Sequence, residues 1–231
     1  MTKKVAIMQP YLFPYLGYFQ LLGMVDEYVV YDDVHFIQRG WIARNNILLG
    51  GQRRRFSISL SQASQNRLIN EIVIADDFRK FLKTVEQAYR RAPHFSRVIP
   101  LLKRICDFPD RNLARFATHA LEQIAADLGI DTRIVVSSHL AKDNTLRAQE
   151  KILSICKTLE ADVYVNAEGG QALYDREAFR SHGIELRFLH SDAEDYLQFG
   201  EPFVPHLSII DVMMFNEVGA IRKLLENYRL V

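Results

Sequence analysis

The chain has 231 residues, 48% of them hydrophobic and 25% charged, with a formal net charge of +1. That length and apolar content suit one large α/β domain with a substantial core, and the near-neutral balance removes any bulk electrostatic case for nucleic acid or an anionic membrane as partner. Cys106 and Cys156 form no Cys-x-x-Cys pair and read as buried thiols of a reducing compartment, while MTKKVAIMQP has no signal-peptide core and no apolar run approaches a membrane span, so a cytoplasmic protein is expected.

In chain order, Val5–Met8 is a short apolar run that stops at Gln9-Pro10-Tyr11. Gly17 then opens an apolar-periodic segment through Phe19, Leu21, Leu22 and Val25, and Tyr28–Tyr31 is a second apolar run that ends at Asp32-Asp33. Strand, loop, helix, strand is the unit of a parallel sheet with a right-handed crossover. Strands over 45–49 and 55–60 flank Gly50-Gly51 as a hairpin, and Ile69–Ala75 is a further strand candidate. Helices follow over about 77–91 and 95–106, and an amphipathic one runs from Asp110 to a cap at Gly129. From 133 to 189 the pattern reads strand, helix (from Asn144 or Thr145), strand, helix (about 175–182), strand. An irregular aromatic segment, Tyr196–Pro205, precedes helices near 207–214 and 217–228. The expected fold is therefore α/β, Rossmann-like: a mostly parallel sheet with flanking helices, a β-hairpin and a helical insertion. Residues 1–231 read as one domain, with 77–129 a candidate helical subdomain.

In open sheets of this kind ligands lie beyond the carboxyl ends of the strands, and the polar clusters of this chain fall there. Asp32 and Asp33 are paired carboxylates that can hold a divalent cation, bind sugar hydroxyls or act as a base, and His35 is a second candidate base. Gln38–Asn46 gathers Arg39, Trp41, Arg44, Asn45 and Asn46, side chains suited to carboxylate, phosphate and ring recognition. Ser137-Ser138-His139 and Asn166-Ala167-Glu168-Gly169-Gly170 also follow strands, and the glycine pair lets backbone approach a ligand. In the tail, Asp195, Tyr196, Gln198 and His206 are placed to close over such a site, whereas Ser208 and Asp211 read as a helix cap and first turn. Arg53-Arg54-Arg55 reads as a solvated hairpin edge.

Two resemblances sharpen this. Tyr15-Leu16-Gly17-Tyr18, behind a strand and short loop, resembles the HxGH-type signature of nucleotidyltransferases and pantothenate synthetase, in which histidines and a helix N-terminus bind nucleotide phosphates. Tyr15 and Tyr18 stand at the histidine positions, and tyrosine is not cationic near neutral pH. Over nearly the whole chain, IMQPYLFPYLGYFQLL, YDDVHFIQRGW, ARNNI, YVNAEGGQALYD and FVPHLSIIDVMMFNEVG are similar to the WbqC-like family. The matching positions are Gln9, Pro10, Tyr11, Pro14, Gly17, Asp32, Asp33, Trp41, Arg44, Asn45, Gly169, Gly170, Ser208, Asp211 and Asn216.

That resemblance implies a role in bacterial surface polysaccharide (O-antigen) or related glycan synthesis. The expected activity is transfer of an acyl or aminoacyl group to a nucleotide-linked amino sugar. The alternatives are nucleotidyl transfer or ATP-dependent ligation, and non-catalytic binding within a biosynthetic complex. Asp33, His35 and Arg44 are the expected catalytic residues. Gln9, Tyr11, Tyr18, Asp32, Trp41, Asn45, Gly169 and Gly170 are the expected substrate contacts, for a nucleotide sugar or nucleotide. No metal-ligand cluster stands out, and cofactor and oligomeric state are left open by the sequence.

Overall fold

The computed structural model describes residues 2–192, 195–200 and 202–231. Of the irregular segment Tyr196–Pro205, Glu201 lies outside the described residues. In chain order the elements are β1 (Lys4–Met8), α1 (Leu16–Gly23), β2 (Glu27–Val30), β3 (Arg44–Leu49), β4 (Gln52–Ser57), β5 (Leu60–Ser61), β6 (Val73–Ile74), α2 (Arg79–Tyr89), α3 (Phe95–Cys106) and α4 (Leu113–Leu128). They continue as β7 (Arg133–Val136), α5 (Ala148–Thr158), β8 (Val163–Ala167), α6 (Arg176–Ser181), β9 (Glu185–Ser191), α7 (Ile209–Phe215), α8 (Val218–Glu226) and β10 (Tyr228–Leu230).

Six strands make the central sheet in the order β10-β9-β8-β1-β2-β7. All its pairings are parallel except that of β10 with β9. The reason is visible in β1 and β2, whose central residues are buried on both faces, as parallel strands under helices must be. Alternate side chains divide between two cores. Ala6, Tyr28, Val30 and Val165 join α1, α4 and α8 on one face. Val5, Ile7, Val29 and Tyr164 join α5 and α6 on the other. The chain winds outward through β1, β2 and β7 on one side and through β8, β9 and β10 on the other. The order therefore reverses between β1 and β8, where loops leave the sheet in opposite directions and open a crevice.

The hairpin forms as expected around Gly50 and Gly51, both at positive φ (61° and 72°), as a two-residue turn requires. Its second strand stops earlier than the pattern suggests. The N–H of Ser59 donates to the Asp76 carboxylate (3.1 Å), and Leu60-Ser61 leaves to pair with Val73-Ile74. Within the expected strand Ile69–Ala75, Ile69–Glu71 is a 3-10 turn closed by the Glu71 carboxylate on the N–H of Leu68 (2.9 Å). Helix α5 starts later than expected because Asp143 holds a turn on the N–H and hydroxyl of Thr145 (2.8 and 2.6 Å). The last helix ends at Glu226, where the buried amide of Gln20 takes the carbonyls of Leu224 and Asn227 (2.8 and 3.0 Å) and frees Tyr228–Leu230 to become β10. Helices α2–α4 share one apolar cluster with α1, and Phe81 stacks on Phe13 at 5.1 Å. None of the described helices is long and apolar enough to cross a membrane.

Gly129 closes α4 at φ 70°, and a Cβ there would lie 1.8 Å from Nη2 of Arg222, whose Nε donates to the Leu128 carbonyl (2.8 Å). Gly129→Ala is expected to lower stability by about 1–2 kcal/mol, through the left-handed backbone and the displaced guanidinium, as read by urea denaturation.

Candidate functional site

Three cavities open along the carboxyl edge of the sheet. The first, of about 390 Å³, sits at the reversal point. Its walls are the head of α1 (Tyr15–Gly17), the turn after β8 (Ala167–Gly169), the end of β9 (Leu189–Ser191) and the tail residues Asp195, Tyr196 and His206. The first N–H groups of a helix have no intrahelical acceptor, and the Tyr15 side chain supplies no cap to α1. Tyr18 N–H turns back to the Tyr15 carbonyl (3.1 Å), and the cavity meets the positive end of the helix dipole beside Gly17. Gly17 matters sterically, because a Cβ would lie 2.7 Å from Cε2 of Tyr15, whose ring lies across the start of the helix.

His190, near the end of β9, borders this cavity. Its Nδ1 is paired with the Glu168 carboxylate, while Nε2 lies 3.5 Å from Asp192. Glu168 on Nδ1 favours the tautomer with the proton there, which in the neutral ring leaves Nε2 as an acceptor. The side chain is 30% exposed, so a ligand can reach it.

The remaining wall is anchored from behind. Asp211 is 0% exposed and accepts from the hydroxyls of Tyr89 and Tyr196 (both 2.7 Å) and from Nε2 of Gln198 (2.8 Å). Burial pushes its carboxyl up, against the three hydrogen bonds that pull it down. Gln198 also clasps Val204 through N–H to Oε1 (2.9 Å). Asp211→Asn would set an amide donor against these donors. It is expected to cost about 2 kcal/mol and to loosen Tyr196, seen as a lower midpoint in urea and faster amide exchange over 195–200.

The loop after β1 is tied down at one point. The Phe13 carbonyl accepts from Nδ2 of Asn45 (2.6 Å) and Oγ of Ser208 (2.7 Å), and Ile209 N–H donates to Pro14 (2.7 Å). Asn45, expected to contact substrate, is 2% exposed and makes this tether. Tyr18 is also buried and donates to the Gln9 carbonyl (2.9 Å). Tyr11 packs edge-on against Tyr18 and 6.4 Å from Tyr15, so these aromatics back the cavity wall. Burial raises the Tyr11, Tyr15 and Tyr18 hydroxyls, which stay neutral donors. Trp41 is 47% exposed on the hairpin side, with the guanidiniums of Arg44 and Arg55 over its ring at 5.3 and 5.7 Å. Gly169 lines the first cavity, whereas Gly170 lies against Asn166.

The two aspartates part company. Asp33 enters the second cavity, of about 400 Å³, together with Tyr31, His35, Ser138, Arg147 and Lys151. Its carboxylate meets Nζ of Lys142 (2.8 Å), Nζ of Lys151 (3.0 Å) and the Ser137 hydroxyl (2.7 Å). Desolvation pushes its pKa up, but hydrogen bonds from Lys142, Ser137 and Lys151 outweigh that and leave it below the usual carboxylate range. Asp33 is therefore a poor proton acceptor near neutral pH. Asp32 faces the third cavity, also about 400 Å³, and accepts from Ser138 N–H and Oγ (2.9 and 2.7 Å) and from Asn70 (3.1 Å). His35 is exposed at the mouth of the second cavity. Of the residues singled out in the sequence, Gly17, Gly169, Asp195, Tyr196 and His206 meet in one cavity, and Asp33 with His35 in another. His190, Lys142, Lys151 and Arg147 were not singled out. His190 was visible only as a polar residue at the carboxyl end of a predicted strand. Among the described residues no group of three or more His, Cys, Asp or Glu is arranged to hold a metal ion.

The family model described as "WbqC-like protein family" matches residues 9–223. Uncharacterized protein Rv1507c of Mycobacterium tuberculosis (strain ATCC 25618 / H37Rv) is 30% identical over 225 residues, which span 94% of this chain and 95% of that protein. No solved structure matches.

Proposed function

The chain belongs to the WbqC-like protein family, and on that footing we propose that it is an enzyme of bacterial surface-polysaccharide or related glycan synthesis that transfers an acyl or aminoacyl group to a nucleotide-linked amino sugar. The observation that carries this reading is the first cavity, which the head of α1 and the paired residues Glu168 and His190 line together at the point where the strand order reverses. In this reading the helix head and the backbone near Gly169 hold the diphosphate, the neutral Tyr15 hydroxyl bonds a sugar oxygen, and the Tyr196 oxygen, whose proton goes to Asp211, accepts from a sugar hydroxyl. The sugar amine attacks the acyl carbonyl. A C–N bond forms as the bond to the leaving group breaks, and Nε2 of His190 takes the proton released from nitrogen and passes it to the leaving group. The base role goes to His190 in preference to Asp33, whose carboxylate is already engaged by two lysines.

The test is to incubate the full chain with nucleotide-linked amino sugars and activated acyl donors, following products by mass spectrometry and ligand-induced changes in Tm. An acylated sugar nucleotide is the expected product. Pyrophosphate release from ATP would replace this reading with adenylate formation. Binding without turnover against the whole panel would replace it with a carrier or partner role.

A further inference from the structure

The near-neutral total hides a local excess of one sign. Residues 34–70 hold six arginines, Arg39, Arg44, Arg53, Arg54, Arg55 and Arg67, and no aspartate or glutamate, although the whole chain is only +1. Among the described residues none of the six is paired with a carboxylate. Guanidinium groups gathered without acids repel one another, and a partner that brings negative charge relieves the repulsion.

The apolar part of this stretch is held in the open. Phe36 and Ile42 are buried, and both are pinned through the backbone. The Phe36 N–H donates to the Arg67 carbonyl (2.9 Å), and the Ile42 carbonyl accepts from the Leu12 N–H (2.8 Å). Between these anchors the loop turns on the bond from the Gly40 N–H to the Ile37 carbonyl (3.0 Å). Ile37 and Trp41 are left 55% and 47% exposed. Arg39 is exposed between them, and Arg44 and Arg55 reach over the Trp41 ring from the two strands of the hairpin. Arg53, two residues from Arg55 and so on the same face of β4, donates to the Pro205 carbonyl (2.7 Å). Ile37, Trp41 and these arginines line none of the three cavities of the carboxyl edge, so they offer an open surface.

We propose that the Ile37–Trp41 loop, with Arg39, Arg44 and Arg55, is a docking face for an anionic phospholipid surface. Ile37 and the indole enter the headgroup layer, where amphipathic rings are favoured, and the guanidiniums meet lipid phosphates. Single-stranded nucleic acid fits less well, because its bases need an open aromatic face and two guanidiniums already lie over this ring. The contact is peripheral and reversible, since a short apolar tip anchors weakly without the charges. It does not depend on the acyl-transfer reading.

Trp41 is the only tryptophan of the chain, so its emission reports this face alone. The test is co-sedimentation and fluorescence of the full chain with vesicles of phosphatidylcholine, alone or mixed with phosphatidylglycerol. The expected result is binding and blue-shifted emission with the anionic vesicles only, both lost at about 1 M salt. Arg39→Gln and Arg55→Gln, at exposed positions, should each raise the lipid concentration for half-binding about fivefold with Tm unchanged. Ile37→Ser should raise it by a similar factor. No binding to anionic vesicles, binding with unshifted emission, or parental half-binding in all three variants would overturn the proposal. Tighter binding of a single-stranded RNA oligonucleotide, read by the same emission, would overturn it in favour of nucleic acid.

Discussion

Asp33→Ala is expected to destabilise the chain by about 3–5 kcal/mol, a large share of the roughly 5–15 kcal/mol that holds a typical domain together. The substitution removes one carboxylate but strands two ammonium groups, Lys142 and Lys151, that have almost no contact with water. It also releases the Ser137 hydroxyl that ties the end of β7 to the loop after β2. Asp33→Asn keeps an acceptor but no charge and should fall in between. The pH dependence gives an independent check. Because the folded carboxyl titrates below its unfolded value, its contribution is complete above the ordinary carboxylate range and is lost as pH falls through the depressed folded value. Urea unfolding should therefore show the gap between wild type and Asp33→Ala closing below about pH 4. A gap that stays constant down to strongly acidic pH would mean that the ion pairs contribute nothing.

The second large effect concerns turnover. His190→Gln should lower kcat by about 10²–10⁴ on the donor and acceptor pair that the product screen identifies, with little change in Tm because the side chain is partly open to solvent. Glu168→Gln should lower it less, by roughly tenfold, through loss of the contact that orients the ring. A His190→Gln variant with unchanged kcat would take the proton-transfer role away from His190.

Much of the scaffold could be read before any coordinates. Double-sided apolar runs such as Val5–Met8 and Tyr28–Val30 announce buried parallel strands, and Gly50-Gly51 announces a tight turn, because each depends on a few neighbouring residues. Gly169 from the strand-end clusters and Asp195, Tyr196 and His206 from the tail line one cavity, whereas Asp33 and Asp32 line two others. What escaped were pairings between distant stretches. Lys151 looks like any polar residue of an amphipathic helix, and only the sheet order brings it under the loop after β2. The His190–Glu168 pair depends on the register of β8 against β9, which no local pattern encodes. Asn45 shows the opposite limit. An amide among arginines and a tryptophan invites a ligand, yet its hydrogen bonds go to Phe13 and the backbone of Asn46.

The knot on the Phe13 carbonyl has a consequence for the life of the chain. Residues from the beginning, the hairpin and the last stretch of the sequence must all be present before the loop carrying Tyr15 is tied down, since Ser208 and Ile209 supply two of its bonds. A polypeptide still emerging from the ribosome can lay down β1, β2 and β7 well before it has that fastening. The hollow at the strand reversal is therefore among the last parts to mature, and a nascent or C-terminally trimmed chain would carry a sheet whose cavity lacks that fastening.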